Sequence, residues 1–296
     1  MAQLETTLPG SNTVSVTSEE LLQQHALEDF RAWTTKQPIN TQPRIAGKLS
    51  RGSGHTTILV AADNAAGNKF FVLRYRTHPS TPLGLSFGRE TACMQLAYEQ
   101  GLAPQVVWQD IDQQSMVMEF LNESGSVSCE ELANLAKSIH RLPPVTPPLN
   151  LQHQMEHYWQ IARDRGNTAS VLVNPKEPAL GAAIKALEFE VPVTCHNDLT
   201  PPNIRRRNRT IVAIDWEYAA TGSPHFDVAT LCAGWPAMNR QALALAILGD
   251  QLSPPLFDIA TYFYKALSWN WHRAAGEKIK NNQAPTSILQ RLAASL

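Results

Sequence analysis

The chain has 296 residues, 43% of them hydrophobic, and 25 Lys and Arg nearly balance 26 Asp and Glu for a formal net charge of −1. That length suits one two-lobed unit or two small domains with a substantial core, and the even charge leaves no footprint for nucleic acid or a membrane surface. The cysteines at 93, 129, 195 and 232 fit neither a zinc nor a CxxC spacing, and no apolar run approaches a bilayer span. With no secretory pattern in "MAQLETTLPGSNTV", the expectation is a reduced, cytoplasmic protein.

In chain order, a polar lead-in runs to residue 16. Thr17 and Glu20 then fit a capping box, and Leu21, Leu22 and Leu27 continue an amphipathic helix. No function is assigned to residues 1–43; the helix could pack on the sheet or on a partner. Strands are predicted over 44–50, 55–62 and 69–76, with "DNAAGN" turning into the third. A helix over 87–100 ends at Gly101, and two more strands follow near 105–109 and 115–120. Ser128 and Glu131 open a further helix, with Leu132, Leu135, Ala136, Ile139 and Leu142 at helical spacing, and "LPPVTPP" stops it as a stiff connector. Helices are predicted near 152–165 and 178–189 and over nearly all of 225–296. A β-rich half followed by an α-rich half predicts an α+β fold of two lobes with a cleft.

The chemistry concentrates in "CHNDLTPPNIRRRNRTIVAIDWEYA", residues 195–219. Asp198 can accept a proton. Asn203 offers an amide oxygen and Asp215 a carboxylate, both suited to a hard cation such as Mg²⁺. A free carboxylate and two oxygen ligands across a hairpin suit phosphoryl transfer. A metallohydrolase could instead use His196 with Asp198, but three motif pieces in order, with the β-then-α layout, favour the transferase reading.

"HNDLTPPN" followed by "IDWEY" resembles the protein-kinase-like small-molecule kinases: aminoglycoside phosphotransferases, choline and ethanolamine kinases, and bacterial thiamine kinases. The Asn of "HND" and the Glu of "DWEY" look closest to the choline and thiamine branch, and the resemblance runs over roughly residues 44–275. It implies an N-terminal ATP-binding lobe over 1–120 and a C-terminal catalytic and acceptor-binding lobe over 121–296. Carried over by position, it makes Asp198 the catalytic base and Asn203 and Asp215 the Mg²⁺ ligands. His196 and Asp227 would support the catalytic loop.

For ATP, Gly52, Ser53 and Gly54 form a small-residue turn whose N–H groups could approach phosphate. There is no GxxxxGK[ST], which argues against a P-loop protein. In "KFFVLRYR", Phe70, Val72, Arg74 and Arg76 share one face. Arg74 stands where the family grips the phosphates; Arg76, pointing to the same side, is the competing candidate, though its place near the strand end favours a solvated charge. By resemblance Glu90 pairs with Arg74, and the backbone from Glu119 to Leu121 in "MVMEFL" meets the adenine edge.

For the acceptor, residues 228–296 hold only Asp250, Asp258 and Glu277 as acids, too few for a polycationic aminoglycoside. The same region is aromatic, which suits a quaternary or aromatic cation. Trp235 and Trp269 are the candidate contacts, and Glu217 the candidate counter-charge. The expected function is ATP- and Mg-dependent phosphorylation of choline, ethanolamine or thiamine. An aminoglycoside or sugar kinase and a catalytically inactive kinase-fold binding protein are the rivals.

Overall fold

Aromatic and β-branched residues crowd the segments between 44 and 119, and the main sheet forms there. The computed structural model describes residues 18–33, 36–51, 55–64, 67–76, 87–112, 114–123, 125–276 and 285–296. Thr17 of the expected capping box, the Gly52–Ser53–Gly54 turn, the centre of "DNAAGN" and Glu277 lie outside the described residues.

Helices α1 (Ser18–Glu28) and α2 (Phe30–Trp33) come first, then β1 (Arg44–Arg51), β2 (His55–Asn64), β3 (Gly67–Arg76) and α3 (Phe87–Glu99). β4 (Val106–Gln109), β5 (Ser115–Glu119) and the short β6 (Asn122–Glu123) follow. The sheet order is β1-β2-β3-β5-β4, with every neighbouring pair antiparallel. The β2–β3 register runs unbroken from His55 opposite Arg76 to Asn64 opposite Gly67. This fixes which β3 residues face which way.

Phe71, Leu73 and Tyr75 turn to one face and join Ile58, Val60, Val117 and Trp108 in a hydrophobic cluster with Ala26 and Trp33. So α1 and α2 cover the outer face of the sheet. Gln23 Nε2 donates to the Tyr75 hydroxyl at 2.7 Å, and the Trp108 indole donates to Asp29 Oδ2 at 2.5 Å. Strict alternation fails in β4, where a register shift between Val106 and Trp108 accompanies burial of both Val107 and Trp108 in this cluster. Met116 and Met118 of β5 face the other way, into a larger core with Cys93, Met94 and Ala97 of α3.

The second half begins with α4 (Cys129–His140), whose capping box is made as expected by Ser128 and Glu131. α5 (Leu151–Asp164), α6 (Pro178–Glu188) and β7 (Val193–Cys195) lead to the hairpin β8 (Ile204–Arg207) and β9 (Thr210–Ala213). Asn208 takes a positive φ at the hairpin tip. β10 (Ala220–Gly222) pairs with β7, while β6, β8 and β9 form a small third sheet. The proline-rich connector after α4 is stitched to β10: Val145 N–H donates to Thr221 Oγ1 and Leu149 N–H to Thr221 O, both at 2.8 Å.

α7 (Pro224–Gly234), α8 (Arg240–Leu248), α9 (Pro254–Ala275) and α10 (Pro285–Ser295) complete the described chain. α9 is the central post, packed by α5, α6, α7 and α10, and Gly276 ends it in the left-handed conformation at φ 79°. No helix among the described residues is long and apolar enough to cross a membrane.

Trp33 is fully buried and meets Phe71 edge-on at 5.5 Å. Trp33→Ala is expected to destabilise the chain by about 3–5 kcal/mol. A shift of under 1 kcal/mol in urea unfolding would refute the packing of α1 and α2 on the sheet.

Candidate active site

The loop after β7 is shaped from beneath by buried polar groups. His196 is fully buried; its Nδ1 accepts the Asp198 N–H at 3.3 Å and its Nε2 lies 3.2 Å from the Ile214 carbonyl. Those partners require a neutral ring carrying its proton on Nε2. Burial agrees, lowering its pKa to about 4. Its edge meets Trp216 at 4.8 Å. One histidine thereby ties the loop holding Asp198 to the segment leading into Asp215.

Asn197 takes φ 63°, a conformation asparagine tolerates better than most residues. Its backbone N–H donates to Asp227 Oδ1 at 2.6 Å and its side-chain amide to Tyr218 O at 2.9 Å. Asp227 is fully buried, and its other oxygen lies 2.7 Å from His140 Nε2. The sequence reading missed His140. A histidine in the last turn of an amphipathic helix reads as a charge favoured by the helix dipole, and only the contact across 87 residues shows its tie to Asp227.

Asn203 donates its side-chain amide to Asp198 twice, to the carbonyl at 3.0 Å and to Oδ2 at 2.6 Å. Its nitrogen is thereby committed, and the amide oxygen is the end left to face a cation. Burial, then the Asp215 charge, raises the Asp198 pKa to about 7, against the pull of the Asn203 hydrogen bond. Asp215 sits at φ 64°, ψ 66°, a backbone state of the kind that clusters at functional sites.

Opposite this loop, Arg74 is buried among carboxylates. Its Nη1 lies 2.5 Å from Glu90 Oε1 and 3.0 Å from Asp215 Oδ1, and its Nη2 lies 3.0 Å from Glu217 Oε2. His55 Nδ1 is 3.1 Å from Nη2; since guanidinium only donates, this nitrogen accepts. Burial, then the Arg74 charge, lowers the His55 pKa to about 3, so the ring is neutral. Burial opposes the charged guanidinium, but Asp215, Glu90 and Glu217 outweigh it and raise the Arg74 pKa. Burial likewise pushes Glu90 and Glu217 upward, with Arg74 pulling both back. Arg89 reaches the Glu217 carbonyl at 3.2 Å. Arg76 stands opposite His55 at the strand end, and its charge also acts on Glu90 and His55.

Beside Asp198 a cavity of about 190 Å³ opens, lined by Tyr158, Tyr218, Phe226, Tyr264 and Trp271 and, among its polar groups, Gln154 and Ser268. Asp198 is the only carboxylate lining it among the described residues. Trp271 Nε1 donates to the Tyr218 hydroxyl at 3.0 Å.

The aromatic wall is not the one expected. Trp269 points its indole N–H to Val171 O at 2.8 Å, and Trp235 points its own to Leu199 O at 2.7 Å; neither lines the cavity. Helix phase gives the reason: Tyr264, Leu267, Ser268 and Trp271 share one stripe of α9, and Trp269 falls off it. That spacing was present in "YKALSWNW", but which stripe faces the cavity depends on how α9 packs. Glu217 also differs from expectation, since its carboxylate faces Arg74 rather than the cavity. Near the expected adenine edge, Glu119 N–H bonds Gln105 O at 2.9 Å and its carboxylate pairs with Arg207 at 2.6 Å. Leu121 follows, half-buried.

A family model described as the phosphotransferase enzyme family, APH, matches residues 47–277. The chain belongs to this family. It is similar to the Protein LicA homolog of Mycoplasma capricolum, with 24% identity over 127 residues, 43% of this chain and 50% of that protein. The alignment thus takes in about half of that relative's length. Among solved structures, choline kinase LicA from Streptococcus pneumoniae superposes with a TM-score of 0.63 at 16% identity, covering 93% of this chain and 98% of that one. An ethanolamine kinase of Plasmodium vivax does so at 0.57 and 17% identity, covering 98% and 95%. At these identities the structures share the fold, an antiparallel N-terminal sheet followed by a mainly helical part.

Arg74→Met would strand buried carboxylates without their guanidinium. A loss of about 3–5 kcal/mol in unfolding free energy at neutral pH is expected, and equal stability in denaturant titration would contradict the ion-pair cluster.

Proposed function

We propose that this phosphotransferase moves the γ-phosphoryl group of ATP to the hydroxyl of a small cationic alcohol. Choline, ethanolamine and thiamine are the first acceptors to test. One observation carries the reading: Asp198 lines an aromatic cavity on one side and is held by Asn203 on the other, with Asp215 close enough to raise its pKa.

The donor set fits a hard divalent cation. Asn203 presents an amide oxygen, Asp215 a carboxylate, and Glu217 stands close by as a further oxygen donor. Glu90, Asp215 and Glu217 share the Arg74 guanidinium, and a divalent ion beside Asp215 would favour the charged form of these carboxylates. Bound there, the ion would neutralise phosphate oxygens and favour departure of ADP. Arg74, braced by Glu90, can offer its fork to the phosphates as the Asp215 and Glu217 contacts are exchanged. The backbone from Glu119 to Leu121 would take the adenine edge, and Gly52, Ser53 and Gly54, outside the described residues, are the phosphate-side candidates from the sequence, so that residues 1–120 would be the nucleotide lobe and 121–296 the acceptor lobe.

In the transfer, Asp198 takes the proton of the acceptor hydroxyl. The oxygen forms a bond to the γ-phosphorus as the bond to the bridging oxygen breaks, and ADP leaves with that electron pair. Positioning and charge neutralisation supply most of the rate. Tyr158, Tyr218, Tyr264 and Trp271 give ring faces to a cationic head group. A cavity whose lining carries one carboxylate is poorly matched to an aminoglycoside with several positive charges. Four free thiols are in keeping with a cytoplasmic place, where ATP is plentiful.

Asp198→Asn is expected to cut turnover by about 10²–10⁴-fold while nucleotide affinity stays within a few-fold. The assay is ATP consumption over choline, ethanolamine, thiamine and aminoglycosides, with nucleotide binding measured by calorimetry. Full turnover in the variant would remove Asp198 from the chemistry.

A further inference from the structure

Helix α7 holds the catalytic loop at two places. From its first turn, the buried Asp227 carboxylate accepts the Asn197 backbone N–H at 2.6 Å. Just past its last turn, the Trp235 indole N–H donates to the Leu199 carbonyl at 2.7 Å. These bonds fall on the residues immediately before and after Asp198. The helix end also lies directly against the loop: a Cβ at Gly234 would stand 3.0 Å from Thr200 Cγ2 and 3.2 Å from its Cα. A residue without a side chain is what lets the two backbones come this close. Phe226 and Thr230 of the same helix line the cavity.

We propose that Trp235 is a positioning residue for Asp198, its indole N–H being the second anchor of a two-point clamp whose first anchor is Asp227. The inference rests on the phosphotransfer reading above. With the chain pinned at the Asn197 N–H and the Leu199 carbonyl, the backbone carrying Asp198 cannot tilt without breaking a bond to α7. Leu199, with its side chain fully buried, adds a fixed point. Since α7 also walls the cavity, one rigid helix sets both where the base sits and where the acceptor sits. Removing the indole donor frees the Leu199 carbonyl and lets the carboxylate drift relative to the cavity. Small misplacements of that kind are felt in kcat. The ion pairs that Arg74 of β3 makes with Glu90 of α3 and with Asp215 and Glu217 after β9 do not involve Trp235, so nucleotide affinity should be spared.

The test uses the full chain and Trp235→Phe, which keeps an aromatic ring but has no N–H. Steady-state kinetics with the best acceptor of the screen should show kcat down about 10- to 100-fold, with KM for ATP within about twofold and a melting temperature close to wild type. An unchanged kcat overturns the clamp. So does a rise in acceptor KM alone, which would make Trp235 an acceptor contact. A measurement on the wild type needs no variant to fold: the Trp235 indole proton, followed by ¹⁵N NMR, should exchange far more slowly than that of an exposed tryptophan. Free exchange of that proton also overturns the clamp. A wild type that transfers phosphate to no acceptor would count against the phosphotransfer reading instead, and indole exchange would then decide the clamp by itself.

Discussion

A guanidinium in a protein interior is stable only where its charge is met, and Arg74 is met from three directions. Glu90 reaches it from α3, Asp215 and Glu217 from the segment after β9, and His55 from the neighbouring strand. These partners lie 16 to 143 residues away along the chain. The cluster therefore joins the main sheet to the hairpin region. Its arithmetic is unbalanced: one cation faces several carboxylates in a place where burial already disfavours charge. Such an imbalance is a poor way to build stability, because desolvation consumes most of the attraction. It is a sensible way to build a site whose charge is completed by something that arrives.

The rest of the fold can be understood as support for that cluster and the loop facing it. The unbroken β2–β3 register turns Arg74 inward while Phe71, Leu73 and Tyr75 go outward. That outward face is covered by α1, α2 and Ile39, so the described residues among the first 43, left without a role by the sequence reading, pack on the sheet. On the other side, buried His196 and Asp227, with partly buried His140 behind Asp227, hold the loop around Asp198 from below by hydrogen bonds. Rigid elements thus carry Asp198 and Asn203, and Asp215, at positive φ, is held in place by its neighbours.

What could be read in the sequence followed from how local each signal was. The capping box at Ser128 and Glu131, the glycine after α3 and the strand pattern around Arg74 are short-range, and the described elements match them closely. The order of Asp198, Asn203 and Asp215 was legible because the hairpin between them is itself local. The tie of His140 to Asp227 was hidden because its partner is distant in sequence. That Trp269 falls outside the cavity lining was not legible because aromatic content does not reveal helix phase, which the packing of α9 on α5, α6, α7 and α10 sets; Trp235, past the end of α7, turns instead to the Leu199 carbonyl. Glu217 faced elsewhere for a similar reason: the turn after Asp215 aims it at Arg74.

The stripe of α9 that borders the cavity has a wider implication. Tyr264, Leu267, Ser268 and Trp271 reach the cavity from one helix, α9, whereas Arg74 lies on β3, Glu90 on α3, and Asn203 and Asp215 flank the β8–β9 hairpin. Substitutions along this stripe can therefore reshape one wall of the cavity while Arg74 and its partners stay untouched. A chain built this way can vary one helical face by drift without disturbing the ion-pair cluster at which the sheet and the hairpin region meet.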